Sequence, residues 1–137
     1  MKFKNIIPYI LVFFASFILT PLVFTSVIKK ANNDSKVFLA DFIPITQDLP
    51  DGIYKGKYKA FKFFTLSKVE FVIEAGMVEN FTLDKLFRSP GSQYKEDIEN
   101  RIRQSKRLEI DAISGATRTS NFANAAIKSS IINGPSN

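Results

Sequence analysis

Between Asn5 and Ile28 the chain runs for 24 residues without a charged side chain, and Ile, Leu, Val and Phe dominate the stretch. A helix rising about 1.5 Å per residue would make this segment long enough to cross the ~30 Å hydrocarbon layer of a membrane. A chain of 137 residues then has room for one small domain plus this anchor, not for two domains. Lys2 and Lys4 precede the stretch, and Lys29 and Lys30 follow it. Pro8 falls in the first turn, where a missing N–H costs little, whereas Pro21 is interior and is expected to kink the helix. The rival reading is a cleaved signal peptide. Its apolar core would be unusually long, and no small-x-small cleavage pattern followed by a polar stretch is present. An uncleaved signal-anchor is the reading adopted. Basic residues flank both ends, so the positive-inside bias is nearly balanced. The short N-terminal tail leaves little to translocate if it stays in the cytoplasm, and that orientation would put residues from about 31 onward outside.

Residues 1–30 are thus read as the membrane anchor, 31–50 as a connector and 51–137 as the domain. The connector opens on polar Asn32-Asn33-Asp34-Ser35, but Val37 to Ile43 is too apolar for a flexible tether and would pack on the domain or lie at the membrane interface. Pro44 and Pro50 mark boundaries. The rest reads as α+β, a small antiparallel sheet with two packed helices. Ile53 to Phe64 is rich in Tyr and Phe and suggests one strand, straight or bent. Lys68–Ile73 and Met77–Leu83 form a hairpin across Glu74-Ala75-Gly76. Tyr94, Ile98 and Ile102 recur four apart among charged residues, the narrow stripe of an amphipathic helix that Lys106-Arg107 would close. A final helix from about Thr119 puts Phe122, Ala126, Ile127, Ser130 and Ile131 on one face and stops at Asn133-Gly134-Pro135.

The chain has no Cys and no His. Disulfides, thiolate clusters, thiol-linked haem, lipid attachment at Cys and imidazole acid–base chemistry are all excluded. Carboxylates form no recognisable ligand cluster, so no metal site is expected. Any redox chemistry would need a borrowed cofactor. Lys and Arg number 19 against 13 Asp and Glu, a net of +6; from Asp51 onward the balance is 14 basic to 10 acidic. Nucleic-acid binding is one reading of such a balance. A solvated surface facing anionic lipid headgroups is the one favoured after a membrane anchor, and no nucleic-acid partner is expected. Lys57, Lys59 and Lys62 interleave with Tyr58, Phe61 and Phe63. On a strand this alternation puts rings on one face and ammonium groups on the other. The plain reading is core on one side and water on the other. The functional one is a basic rim near a cofactor phosphate or a docking surface for a redox partner.

One turn carries candidate chemistry. In Asp111-Ala112-Ile113-Ser114-Gly115-Ala116-Thr117-Arg118-Thr119-Ser120, small residues and hydroxyls crowd between an apolar segment and the final helix. Glycine lets a ligand approach the backbone, and a helix start offers unpaired N–H groups at the positive end of a dipole. The residues alone leave two readings open: a phosphate site with a spare hydroxyl, or a strand-to-helix turn with a Ser/Thr cap.

The run resembles the signature of the FMN-binding domain family, which includes the flavin-carrying C and G subunits of sodium-pumping and Rnf-type redox complexes. That pattern is Asp, two residues, Ser or Thr, Gly, Ala or Ser, Thr. Asp111, Ser114, Gly115, Ala116 and Thr117 match it, and Thr119 and Ser120 match the hydroxyl pair that often follows. Asp51-Gly52-Ile53-Tyr54-Lys55-Gly56 resembles the domain's Asp-Gly-x-Tyr-x-Gly opening. Glu74 to Val78 stands where the family has a hairpin turn, Pro90-Gly91 resembles the Pro-Gly before its middle helix, and Gln104-Ser105 with Leu108 resembles its approach to the turn. The chain departs from the pattern after Gly56, where the family shows more glycine, and at Arg88-Ser89, where it often has Glu-Thr.

The resemblance implies that Thr117 accepts FMN through a phosphoester bond made by a separate, metal-dependent flavin transferase using FAD. A threonine hydroxyl is a weak nucleophile, and a chain without His has no ready base for it. Asp111 would be a recognition or turn-fixing residue, or simply an Asx-type cap. Gly115 and Ala116 would keep the turn narrow, and Thr119, Ser120 and Arg118 would hold the phosphate, although an exposed arginine at a helix start also serves simply to meet water. The domain would be extracytoplasmic on a single-pass anchor in the cell membrane. No residue is placed as an acid or base for substrate turnover, so the expected role is an electron carrier between membrane or extracytoplasmic redox proteins, not a complete enzyme. The alternative is a membrane-anchored sensor or binding module of the same fold, with FMN loosely held or absent.

Overall fold

The computed structural model describes residues 6–43, 46–87, 93–108, 110 and 117–136. Helix α1 (Ile7–Leu39) continues unbroken for 33 residues, with Pro8 in its first turn and Pro21 in its interior. Along the apolar part each Ser and Thr hydroxyl donates to the carbonyl one turn back: Ser16 to Val12, Thr20 to Ser16, Thr25 to Pro21 and Ser26 to Leu22. Such internal pairing is what a lipid-facing hydroxyl requires. The apolar side chains from Ile7 to Phe24 stand exposed, and α1 buries only Ile28, Ala31 and Ser35. Those three lie on one helical face. The helix is long and apolar enough to cross a membrane, a property it shares with signal sequences.

The polar run Asn32-Asn33-Asp34-Ser35 does not end the helix. Asn32 meets the domain, its Oδ1 accepting from Asn121 Nδ2 at 3.2 Å, while Ser35 is buried and its Oγ donates within α1 to the Asn32 carbonyl at 2.7 Å. Beyond this run Phe38 stacks on Tyr58 and Phe42 packs against the core, while Val37 and Ile43 stay exposed.

The sheet is an antiparallel meander, β1 (Gly52–Ala60), β2 (Phe64–Glu74) and β3 (Met77–Leu86), in that spatial order. β1 alternates cleanly: Tyr54, Gly56 and Ala60 are buried and Tyr58 half-buried, while Lys55, Lys57 and Lys59 face outward. The strand expected to run to Phe64 stops earlier. Phe61 (φ 53°) and Lys62 (φ 65°) are left-handed and turn the chain back, so Phe61 and Phe63 leave the aromatic row of β1 and stand exposed at the tip. Sequence offered no cue, because neither residue is among those that adopt this region readily. The β2–β3 hairpin forms where expected. Ala75 (φ 51°) and Gly76 (φ 74°) make its two-residue turn, the left-handed pair of a type I′ connection. Asp51 Oδ1 accepts the Ala75 N–H at 2.9 Å and ties that turn to the start of β1.

Helix α2 (Tyr94–Ser105) buries Ile98 and Ile102 against the sheet. It also covers the free edge of β3: Glu99 Oε1 accepts the Leu83 N–H at 2.7 Å, and Arg103 donates to the Phe81 carbonyl at 3.2 Å. Unpaired strand edges invite association, and these side chains close this one. α2 ends at Lys106, left-handed at φ 56°. Helix α3 (Thr117–Asn133) starts two residues before the expected Thr119 and ends at Gly134 (φ 74°). Both helices lie on one face of the sheet over a core of Tyr54, Phe71, Phe81, Leu83, Ile98, Ile102, Leu108 and Ile127. The architecture is the expected α+β, preceded by the long apolar helix.

Candidate functional site

The glycines and tyrosine of Asp51-Gly52-Ile53-Tyr54-Lys55-Gly56 work inside the fold. Gly52 (φ 149°) passes Pro135, and Tyr54 stacks on Phe71 at 5.3 Å while its hydroxyl donates to the Pro50 carbonyl at 2.7 Å. At Gly56 the helix α3 backbone comes so close that a Cβ would lie 2.1 Å from the Ala126 carbonyl oxygen. This motif sets how α3 seats on β1, and through α3 it fixes where Thr117 stands.

Thr117 is the first residue of α3 and is exposed, as is Arg118. Thr119 and Ser120 are buried, at 5% and 2% exposure. The Ser120 hydroxyl has no hydrogen-bond partner among the described residues. The first turn carries no acidic side chain. Its leading backbone N–H groups have no helical acceptor, and the dipole places positive potential there. Asp111, Ser114, Gly115 and Ala116 lie outside the described residues, as do Arg88-Ser89 and Pro90-Gly91. The approach to the turn is described at Leu108 and Ile110, both buried, and Asn124 Nδ2 donates to the Ile110 carbonyl at 3.4 Å. Asn124 therefore links the chain entering the turn to the second turn of the helix that leaves it. Sequence reasoning missed it. Its signal was an amide set between Ala123 and Ala125 in the chain.

The helix start has a definite position relative to α1. Phe122 packs with Ile28, Ala31, Ala60 and Leu66, and its ring lies 5.9 Å from Tyr58 and 6.3 Å from Phe87. Asn121 meets Asn32 and Lys128 donates to the Phe38 carbonyl, so α1 and α3 run side by side in the same direction. The start of α3 consequently lies level with the end of the uncharged stretch of α1. Tyr58 Oη donates to the Ala31 carbonyl at 2.9 Å and locks the sheet to the same turn of α1. Burial raises the Tyr58 phenol above its usual 10.0, Asp34 adds to the rise, and a hydrogen bond with Ser35 offsets part of it. Tyr54 is raised in the same direction by burial and then by Asp51.

The residues present fit an FMN phosphate. Among the described residues, the first turn of α3 carries an exposed hydroxyl at Thr117, a buried unpartnered hydroxyl at Ser120 and no acidic side chain, which suits an anion. Among the described residues no group of three or more His, Cys, Asp or Glu side chains gathers.

The sequence model of the FMN-binding domain family matches residues 49–132, more than half of the chain. The protein belongs to that family, and membership supports a flavin-binding role in electron transfer. Compared with curated proteins and with solved structures, the chain has no significant match.

Proposed function

We propose that the protein is a membrane-anchored, extracytoplasmic electron carrier holding FMN through a phosphoester to Thr117. One observation carries the reading: Thr117 opens α3 as an exposed hydroxyl, with the Ser120 hydroxyl buried one turn along and unpartnered among the described residues. A separate flavin transferase would supply the base that this chain lacks. Thr117 Oγ forms the new bond to the FMN phosphorus of FAD as the pyrophosphate bond breaks, AMP leaves and the hydroxyl proton passes to the transferase. In the product, Thr119 and Ser120 hydroxyls, the first N–H groups of α3 and Arg118 hold the phosphodiester. Asp111, Ser114, Gly115 and Ala116 shape the turn so that it enters the transferase.

The flavin, when bound, supplies the reversible acceptance and donation of electrons. Tethering suits a compartment that does not resupply a dissociable cofactor. α1 anchors the carrier and keeps the helix start at membrane level, within reach of quinone-linked or membrane-bound donors, and extracytoplasmic proteins would act as acceptors. The intact mass of the protein from a host with an active transferase, compared with Thr117→Ala, tests this. An added FMN mass lost in the variant supports the covalent carrier. An unmodified chain, with a control substrate modified in the same cells, would overturn it and leave a sensor or loosely binding module.

A further inference from the structure

Phe61 and Phe63 stand 49% and 82% exposed at the β1–β2 tip, their rings 6.3 Å apart and nearly parallel. A soluble domain gains nothing from two such rings in water. The tip is not at a random place. Phe61 and Lys30 close a shallow cleft of about 340 Å³ against Leu22, Val23, Ser26 and Val27, the last turns of the uncharged stretch. Lys30 Nζ lies 5.8 Å from the Phe61 ring centroid. Asn5 to Ile28 would span about 36 Å as a helix, longer than the ~30 Å hydrocarbon layer, so its last turn emerges among the headgroups. Phe61 lies at that depth.

Charge agrees with the location. Lys30, Lys59 and Lys62 line a second cleft at the same tip, with Asp34 its one carboxylate. Among the described residues none of the three lysines makes an ion pair, whereas Lys55 and Lys68 on the sheet and Lys106 at the end of α2 do. A ring pair beside free ammonium groups is the composition of a surface that enters an anionic lipid interface.

We propose that the β1–β2 tip is a second membrane contact: Phe61 and Phe63 insert at the headgroup boundary beside α1, and Lys30, Lys59 and Lys62 bind the phosphates of anionic phospholipids. Two contacts, helix and tip, would fix the tilt of the domain and with it the direction in which Thr117 faces. This rests on the reading of α1 as a membrane span.

The chain contains no Trp, so single tryptophans report without background. Full-length Phe63→Trp, Phe14→Trp and Met77→Trp are reconstituted in vesicles containing anionic phospholipid, with bromine carried near the headgroup or near the chain end. The same sample in unbrominated lipid is the reference, which cancels any quenching by flavin. The expected result is strong quenching of Phe63→Trp by shallow bromine only, quenching of Phe14→Trp by deep bromine, and none for Met77→Trp at the far hairpin. Adding Lys59→Gln and Lys62→Gln to Phe63→Trp should lower its shallow quenching to the level seen in purely zwitterionic vesicles. Phe63→Trp no more quenched than Met77→Trp, with Phe14→Trp quenched, overturns the tip contact and leaves the anchor standing; a protein partner on the patch would give that result. Quenching of Phe63→Trp that ignores lipid charge overturns the lysine assignment. Phe14→Trp unquenched overturns the anchor and this proposal together.

Discussion

Gly56 and Ala126 stand closer than any side chain allows: a Cβ on Gly56 would lie 2.1 Å from the Ala126 carbonyl oxygen and 2.7 Å from the Ser130 backbone nitrogen. Both obstacles are helix backbone, so no rotamer change relieves them. Gly56→Ala must lift α3 off β1, and the expected cost is about 2–3 kcal/mol. Thermal unfolding of the detergent-solubilised protein measures it. An unchanged midpoint would show that α3 does not seat on Gly56. Because α3 also carries Thr117, FMN incorporation should fall with stability in this variant.

The β2–β3 turn invites the opposite change. Ala75 holds a left-handed φ of 51° at the first turn position, where Asn is better suited. Ala75→Asn should stabilise the protein by about 0.5–1 kcal/mol, since the Ala75 N–H donor to Asp51 is backbone and survives the change. A lower unfolding midpoint would argue against the type I′ turn.

Those two positions also show what the sequence made legible. Glycine beside strand-forming runs marked the hairpin, and the four-residue recurrence of Tyr94, Ile98 and Ile102 marked α2, because both signals are local. The end of β1 was hidden: Phe61 and Lys62 turn the chain without a residue that favours the turn. The continuation of α1 through Asn32–Ser35 was hidden for another reason. Asn32 has a tertiary partner in Asn121 and Ser35 is buried, neither of which a local pattern reveals. At the candidate site the motif located Thr117 and the hydroxyl pair, but Asn124 and the level of α3 against α1 came only from packing.

Alkaline titration should single out Tyr54 and Tyr58. Both phenols are raised above 10.0, chiefly by burial. A raised folded value means that the neutral phenol is the stabilising form. Its contribution is complete below about pH 10 and is lost as pH rises through the folded value. Tyrosinate absorbance should therefore show a late component, and Tyr58→Phe should remove part of it. The same variant loses the bond to the Ala31 carbonyl, about 1 kcal/mol of the attachment between sheet and α1. A Tyr58→Phe titration identical to the parent would contradict the burial of that phenol.

Ser120 gives a prediction whose sign depends on the cofactor. Its hydroxyl is buried and has no partner among the described residues, so among them nothing offsets its desolvation. Ser120→Ala should leave the flavin-free protein unchanged or stabilise it by up to about 1 kcal/mol. If the hydroxyl donates to the phosphate on Thr117, the same substitution should destabilise the flavinylated protein, by about 1.5–3 kcal/mol for a bond to a charged acceptor. Unfolding midpoints of flavin-free and flavinylated samples, each with and without the substitution, form a complete cycle. Equal shifts in the two forms would remove Ser120 from the phosphate site, whereas opposite shifts would place it there without recourse to any activity measurement.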